Sequence, residues 1–204
     1  MNLIPLARTE VDYEARRREI ARVVARVWAT RGERACTLRA VAAELGTSVT
    51  VITRSFSSRA AMMRFTRERL LREWAASTVA AMAAATTPAA KLRALLLEQC
   101  PTDEEALADG TLWLQTLAPG QRDEELIAGN RRFNDELVAT AEPLLEELGI
   151  DRAVAPLLMI AVYGLNAAAI EDPRTWTFTR VERTLDDILR RHGVEDHQPR
   201  RADR

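Results

Sequence analysis

Residues 49–54 carry side chains that suit the edges of DNA bases. Val49 and the methyl group of Thr50 can contact a thymine methyl group, and Arg54 can donate to guanine or to a phosphate. Thr53 adds a hydroxyl group to the same short segment. These groups reach base edges only from a helix whose backbone comes close to the major groove, so the sequence around them must build such a helix.

Two short helices are predicted around a single turn glycine. Their apolar residues recur at helical spacing: Leu38, Val41, Ala42 and Leu45 in a first helix over residues 37–45, then Val49, Ile52 and Phe56 along and just after a second helix over residues 48–55. Gly46 can adopt the left-handed conformation that ends the first helix, and Ser48 is expected to cap the second. This pattern is typical of a helix-turn-helix, whose second helix enters the DNA major groove.

Candidates for DNA-backbone contacts surround this motif. Hydroxyl residues stand at three predicted helix starts, where hydroxyl and free N–H groups bind phosphate as well as cap the helix: Thr37, Ser48 and Ser58. Arg59 adds positive charge at the last of these helix starts. The arginines at residues 16–18 are either a clamp on the DNA backbone or a solvated face, and the sequence leaves both interpretations open.

The charge is divided unevenly along the chain. Residues 1–72 hold 15 arginines against 7 acidic residues, a balance of +8, whereas residues 73–204 have a balance of −9. A basic first third is suited to binding a polyanion, and an acidic remainder indicates a module with a different role. We therefore predict a DNA-binding domain over 1–72 and a second domain over 73–204.

Several other classes of protein lack support in the sequence. Cys36 and Cys100 have no metal-ligand spacing and are expected to be buried in a reducing cytosol. His192 and His197 lie at or past the last predicted helix, and no catalytic constellation or phosphate loop is recognisable, so an enzyme is not expected. No cofactor or metal is expected. With no signal run, and with an apolar stretch at 157–170 shorter than the about 20 residues of a bilayer span, we expect a cytoplasmic protein without a membrane.

The helical period recurs almost everywhere, which predicts an all-α fold of about nine helices. The first helix is expected to begin near Asp12 and to end at Gly32. Thr102 and Glu105 form a capping-box pattern that predicts the start of the sixth helix. The eighth helix, over residues 151–170, is apolar on nearly all sides, so two different surfaces must cover it. The tail after Gly193 is polar.

The chain resembles the TetR family of bacterial transcriptional regulators. The resemblance is carried by about 50 residues, which match the family's helix-turn-helix pattern: Gly32, Thr37, Leu38, Arg39, Val41, Ala42, Leu45, Gly46, Ser48, Ile52, Phe56, Ser58, Arg59 and Met62. It implies that Arg39 approaches the groove and can donate to guanine. Thr53 stands where the family mostly has an aromatic residue that contacts phosphate and sugar. Past Arg72 the resemblance is architectural only.

The resemblance also implies a homodimer and a small-molecule effector. A single helix-turn-helix buries too little surface for operator specificity, so a dimer on two half-sites is expected. Its interface is predicted on the eighth and ninth helices, at Ala161, Gly164, Ala168, Val181, Leu185 and Ile188. An effector cavity, suited to a mainly apolar ligand, is expected between helices 5 and 8, with walls from Trp113, Gln115, Asn130, Phe133, Asn134, Met159, Tyr163 and Asn166. The main hypothesis is a repressor released from its operator by the effector. An activator or an architectural DNA-binding protein without an effector remains an alternative.

Overall fold

The computed structural model describes residues 6–116 and 124–195, and among these residues it contains nine α-helices, two 3₁₀ turns and no strand. The predicted all-α fold class is confirmed. The chain divides into two compact units, Met1–Glu73 and Trp74–Arg204, each described by itself below.

The first unit contains three helices and the beginning of a fourth. These are α1 (Leu6–Arg31), α2 (Leu38–Glu44), α3 (Val49–Ser55) and α4 (Arg59–Ala84), with a 3₁₀ turn at Glu33–Ala35. The predicted start of the first helix near Asp12 is wrong, because α1 already begins at Leu6. Its predicted end is confirmed: Gly32 has a φ of 79°, a left-handed conformation that favours glycine and stops the helix.

The core of the first unit forms where α1 packs against α2 and α3. Its side chains are almost completely excluded from solvent: Ile20, Val24, Val27, Trp28, Val41, Ile52, Phe56 and Met62. Val41, Ile52 and Phe56 belong to the sets that the apolar spacing of the sequence placed on one face of α2 and of α3, whereas Val49, which the spacing placed with Ile52 and Phe56, is exposed. The short helices α2 and α3 are therefore held by tertiary packing, since seven residues are too few for a stable isolated helix.

The second unit contains the end of α4 and five further helices. These are α5 (Pro88–Leu97), α6 (Glu104–Thr116), α7 (Glu124–Glu147), α8 (Ala155–Glu171) and α9 (Phe178–Arg191), with a 3₁₀ turn at Arg152–Val154. Helix α8 packs against α5, α6, α7 and α9 and is the centre of the unit. The core includes Leu92, Leu96, Leu145, Leu158, Val162 and Leu185. A bidentate ion pair between Arg93 and Asp186, at 2.6 and 3.1 Å, fastens α5 to α9.

Two local predictions in the second unit are corrected. The sixth helix is capped by Asp103, whose Oδ1 accepts from the amide of Ala106 at 2.8 Å, and not by Thr102. Val194 is buried in the core cluster although it follows Gly193, so the core extends one residue into the predicted polar tail. Residues 117–123, which include the Pro119–Gly120 pair predicted to end the sixth helix, and residues 196–204 lie outside the described part of the chain.

One segment of the described chain, Arg152–Glu171, is long and apolar enough to cross a membrane by length and composition alone. The expectation that the apolar stretch is too short is therefore corrected. Of the most apolar 18-residue stretch of this segment, 39% is buried within the unit, and α8 contacts four neighbouring helices. The core helix of a globular protein can be equally long and apolar, so length and composition alone are weak evidence for a membrane span.

Candidate nucleic-acid interface

The turn between α2 and α3 has the geometry of a helix-turn-helix. Gly46 closes α2 with a φ of 63°, and the amide of Thr47 donates to the carbonyl of Ala42 at 2.9 Å. At the other end of α3, the amide of Phe56 donates to Ile52 O at 2.9 Å, and Phe56 then leaves the helix in an extended conformation. The two helices are thus joined by a short turn with paired backbone groups.

Helix α3 has two faces of different chemistry. Ile52 and Ser55 are buried, whereas Val49, Thr50, Thr53 and Arg54 are exposed. The four exposed residues are those that the sequence proposed for contact with base edges, and the structure brings them together on one short helix. The hydroxyl of Thr53 donates to the carbonyl of Thr50 at 3.1 Å and is thus engaged within the helix. This face therefore combines apolar groups of Val49 and the threonines with one guanidinium group.

The three predicted helix starts differ in their hydrogen bonds. Thr37 Oγ1 accepts from the amide of Ala40 and Ser58 Oγ from the amide of Ala61, both at 3.1 Å, so these hydroxyls cap α2 and α4. Ser48 makes no side-chain capping bond, and the expectation that it caps α3 is corrected. Its φ and ψ of −84° and 153° are those of a cap residue, and its side chain is exposed. Its hydroxyl is therefore the one of the three that is not engaged in capping.

Arg39 and Arg59 occupy different environments. Arg39 is exposed near the start of α2. Arg59 donates through Nε to Cys36 O at 3.0 Å and through Nη2 to Glu33 O at 2.6 Å. Its guanidinium group therefore fastens the start of α4 to the turn between α1 and α2. The sequence did not indicate this structural role, because the two carbonyl groups lie more than 20 residues away.

The three arginines of residues 16–18 also differ. Arg16 is exposed and pairs with Glu19 at 2.6 Å, and Arg18 is exposed. Arg17 is half-buried: its guanidinium carbon lies 4.0 Å from the ring centroid of Phe65 and 5.0 Å from that of Phe56. Arg17 is thus surrounded by aromatic side chains and differs from its neighbours in environment, although not in residue type.

Both cysteines are buried, as predicted. Burial raises the pKa of the Cys36 thiol to about 11 and that of the Cys100 thiol to about 12. Both thiols are protonated at neutral pH, so neither is an activated nucleophile. Among the side chains that the structure describes, no group of three or more His, Cys, Asp or Glu residues could hold a metal ion.

Several candidate effector residues meet in the second unit. The rings of Trp113 on α6 and Tyr163 on α8 lie 4.9 Å apart between centroids, tilted by 35°. Burial raises the pKa of Tyr163, and a hydrogen bond between its hydroxyl group and Asn134 on α7 opposes this shift by a smaller amount. The structure therefore joins α6, α7 and α8 through an aromatic pair with an amide beside it.

The other proposed wall residues have different surroundings. Met159 is buried, and Phe133 packs against the core cluster. Asn166 is also buried, and its amide nitrogen donates to Gln99 O at 2.5 Å and to Val162 O at 3.2 Å. Asn130 is partly buried. The side chain of Gln115 lies outside the described residues.

The proposed interface residues divide into two groups. Val181 and Leu185 are fully buried in the core of the unit, so their assignment to a dimer surface is corrected. Gly164 is exposed, and Ala161, Ala168 and Ile188 are partly exposed. The sequence analysis missed Leu157 and Ile160, which are 53% and 64% exposed on α8. Their spacing of three residues, with Gly164 four residues further on, was the available signal.

These features define the class of fold: an all-α chain with a helix-turn-helix in its first unit. No family model matches the chain. It is 25% identical over 194 residues to the HTH-type transcriptional regulator PksA of Bacillus subtilis (strain 168), covering 92% of this chain and 94% of that protein.

Two solved structures have the same fold. One is described as a transcriptional regulator from Saccharomonospora viridis in complex with choline, at a TM-score of 0.71 and 24% identity, covering 85% of this chain and 95% of that one. The other is described as a TetR-family transcriptional regulator from a Rhodococcus species, at a TM-score of 0.72 and 16% identity, covering 88% and 99%. The chain therefore has the fold of helix-turn-helix transcriptional regulators.

Proposed function

We propose that this protein is a cytoplasmic, homodimeric transcriptional repressor of the TetR type, which binds double-stranded operator DNA through α2 and α3. A small molecule bound in the second unit releases it from the operator. The observation that carries the proposal is the division of α3: its apolar face is buried in the unit, and its exposed face holds Val49, Thr50, Thr53 and Arg54.

The chemistry of the first unit supports DNA as the partner. The region 1–72 has a balance of +8, which attracts a polyanion through long-range electrostatics. Arg39 and Arg54 are exposed on α2 and α3 and are the candidates for bidentate contacts with guanine. Thr37, Ser48 and Ser58 stand at helix starts, where hydroxyl and N–H groups can bind phosphate. Arg59 is a weaker candidate for DNA contact, because two of its nitrogen atoms donate hydrogen bonds within the unit.

The exposed face of α8 supports the homodimer. Leu157, Ile160 and Gly164 form an apolar stripe along α8, Ala161 and Ala168 of the same helix border it, and Ile188 of α9 is partly exposed. An exposed apolar stripe of this kind marks an interaction surface, and a dimer with two-fold symmetry would present two recognition helices to two half-sites. The dimer is also what the likeness to the TetR type implies.

The aromatic pair in the second unit supports the effector. Trp113, Tyr163 and Asn134 combine ring faces with polar groups, as ligand sites do. The choline complex of the Saccharomonospora viridis protein indicates that a regulator of this fold can hold a small molecule. Release then requires that the ligand bind more tightly to the arrangement that cannot bind DNA, with a coupling of about 1–3 kcal/mol.

A selection experiment tests the proposed partner. Sheared genomic DNA is passed over the immobilised full-length protein, and retained fragments are sequenced and rebound in a mobility-shift assay. We expect a duplex with two related half-sites to bind far more tightly than its scrambled counterpart. Equal affinity for the selected and the scrambled duplex would favour the architectural alternative, and retention of no fragment would contradict the DNA-binding proposal.

A fluorescence titration tests the effector half. N-phenyl-1-naphthylamine, a neutral apolar probe, and choline chloride are titrated while tryptophan emission is recorded. We expect binding of one probe to change the emission of Trp113, and Trp113→Ala to weaken binding without changing operator affinity in the absence of ligand. A binding response that is unchanged in Trp113→Ala would remove this aromatic pair from the effector site.

A further inference from the structure

The C-terminal end of α3 is held by two side chains of α1. The hydroxyl of Tyr13 donates to the main-chain carbonyl of Ser55, the last residue of α3, at 3.1 Å. This carbonyl belongs to the last turn of a helix, where carbonyl groups lack partners within the helix. A bond from a different helix therefore satisfies a terminal acceptor and fixes the position of that end.

Arg17, one turn after Tyr13 on α1, makes the second attachment. Its guanidinium carbon lies 4.0 Å from the ring centroid of Phe65, 5.0 Å from that of Phe56 and 5.6 Å from that of Tyr13. The rings of Phe56 and Phe65 are themselves 5.4 Å apart. A guanidinium group over the faces of aromatic rings is attracted by their quadrupoles, more strongly where water is excluded.

The hydrogen bonds of Arg17 favour an internal role for its charge. Its Nη1 pairs with Glu14 at 2.9 Å, and its buried Nε has no hydrogen-bond partner. A buried N–H group without an acceptor is unfavourable, so the ring contacts must compensate for it. Arg16 also pairs with a glutamate, Glu19, but its side chain is exposed, whereas that of Arg17 is half-buried.

We propose that Tyr13 and Arg17 are positioning residues for the DNA-facing side of α3. They hold the end of this seven-residue helix against α1 and thereby fix the direction in which Thr53 and Arg54 are presented. The inference rests on the proposed function, because it assigns a consequence for DNA reading to a contact inside the protein. It also reassigns Arg17 from the possible phosphate clamp of residues 16–18 to the interior of the first unit.

The first experiment needs no DNA. Amide hydrogen exchange of residues 49–56 is measured in the full-length protein well below its unfolding temperature, for Tyr13→Phe, Arg17→Met and the control Arg16→Met. We expect roughly tenfold faster exchange near Phe56 in Arg17→Met, a smaller increase in Tyr13→Phe, and none in Arg16→Met. Exchange in α9 should not change. Equal exchange in Arg17→Met and Arg16→Met would overturn the proposal.

The second experiment separates positioning from direct contact. Affinity is measured for a duplex of about 30 base pairs that the wild type selects from a random pool, and for a scrambled duplex of the same composition. For Arg17→Met we expect the ratio of the two affinities to fall roughly tenfold, with the scrambled duplex bound within about twofold of wild type. Arg17→Lys, which keeps a cation beside the rings, should recover part of the ratio.

Two outcomes discriminate the inference from the function on which it rests. If both affinities of Arg17→Met fall by the same factor, Arg17 contacts phosphate directly and the positioning role is wrong. If the wild type itself selects no duplex, the proposed function fails, and the exchange experiment still decides whether Tyr13 and Arg17 hold α3. Tyr13→Phe removes one hydroxyl group from a side chain that is 43% exposed, so this variant is expected to fold even if Arg17→Met does not.

Discussion

The exposed faces of α3 and α8 differ in residue chemistry and therefore suit different partners. Helix α3 has seven residues, and its exposed face carries a valine, two threonines and an arginine. Helix α8 has 17 residues, and its exposed face carries Leu157, Ile160 and Gly164. A charged polymer is attracted by the first kind of surface, whereas the second is stabilised by removal from water. The chemistry of an uncovered face thus indicates its partner better than the amount of exposed surface does.

The largest expected effect comes from a charge on the apolar face of α8. Ile160→Arg should raise the dimer dissociation constant by about 100-fold or more, because an unpaired charge would be buried between two copies. Gly164→Leu should act in the same direction through its bulk: the position has open space in the isolated chain, so the variant should fold. Sedimentation equilibrium measures both.

Ala139→Arg is the matched control, since it adds the same charge at an exposed position of α7. It should sediment as the wild type does. A wild type that is monomeric at micromolar concentration would contradict the homodimer, and an Ile160→Arg variant that remains dimeric would move the interface away from α8.

The next effect concerns the polar face of the first unit. Arg39→Ala and Arg54→Ala should each weaken operator binding by about 1–3 kcal/mol if the side chains contact bases. The thermal midpoint should stay nearly unchanged, because both side chains are exposed. Arg131→Ala, an exposed arginine of the second unit, is the control. If neither variant loses operator affinity, α3 does not lie in the groove as proposed, and the assignment of DNA to the exposed face of α3 is wrong.

A pair of helical glycines tests how tightly the second unit is packed. A Cβ atom at Gly110 would lie 2.7 Å from Asn166 Oδ1, whereas a Cβ atom at Gly129 would meet nothing within 4 Å. We expect Gly110→Ala to destabilise the protein by about 1–3 kcal/mol through overpacking. Gly129→Ala should stabilise it by about 0.5–1 kcal/mol through helix propensity. Urea denaturation measures the free energy of unfolding of both variants. If Gly110→Ala is as stable as Gly129→Ala, α6 and α8 can move apart at little cost in free energy.

The smallest effect separates helix capping from DNA contact. Thr37→Ala should destabilise the protein by about 1 kcal/mol, because it removes the capping bond to Ala40. Ser48→Ala should change stability by less than about 0.5 kcal/mol, since its hydroxyl makes no such bond. If Ser48 contacts phosphate, its variant should lose operator affinity without losing stability. A destabilisation by Ser48→Ala as large as that by Thr37→Ala would contradict this distinction.

Local signals in the sequence predicted the helices well. Gly32, Gly46 and Gly149 all have a positive φ at the ends of helices, as expected for glycine after a periodic segment. Most buried positions of α2 and α3 followed from apolar spacing, although Val49 is exposed and Ser55 is buried. One error occurred where two neighbouring residues can both cap, as with Thr102 and Asp103, because their difference depends on the backbone geometry and not on residue type.

The candidate site was predicted only in part. The exposed residues of α3 could be identified because a helix with one apolar face must expose the other. The roles of Arg17 and Arg59 could not, since an arginine is equally compatible with solvent, phosphate, an aromatic ring or a carbonyl group. Val181 and Leu185 illustrate the same limit, because an apolar stripe on a helix can pack either against the same chain or against a second copy.

The sequence by itself determined the all-α class, the turn at Gly46 and the division of α3 into two faces, because these depend on residues close together in the chain. The tertiary structure alone decided which arginines are exposed and which are engaged within the unit. It also decided which apolar residues of α8 and α9 are buried, and that Tyr13 reaches Ser55 across 42 residues. These outcomes depend on contacts between distant segments, which packing selects from many arrangements that local sequence permits equally.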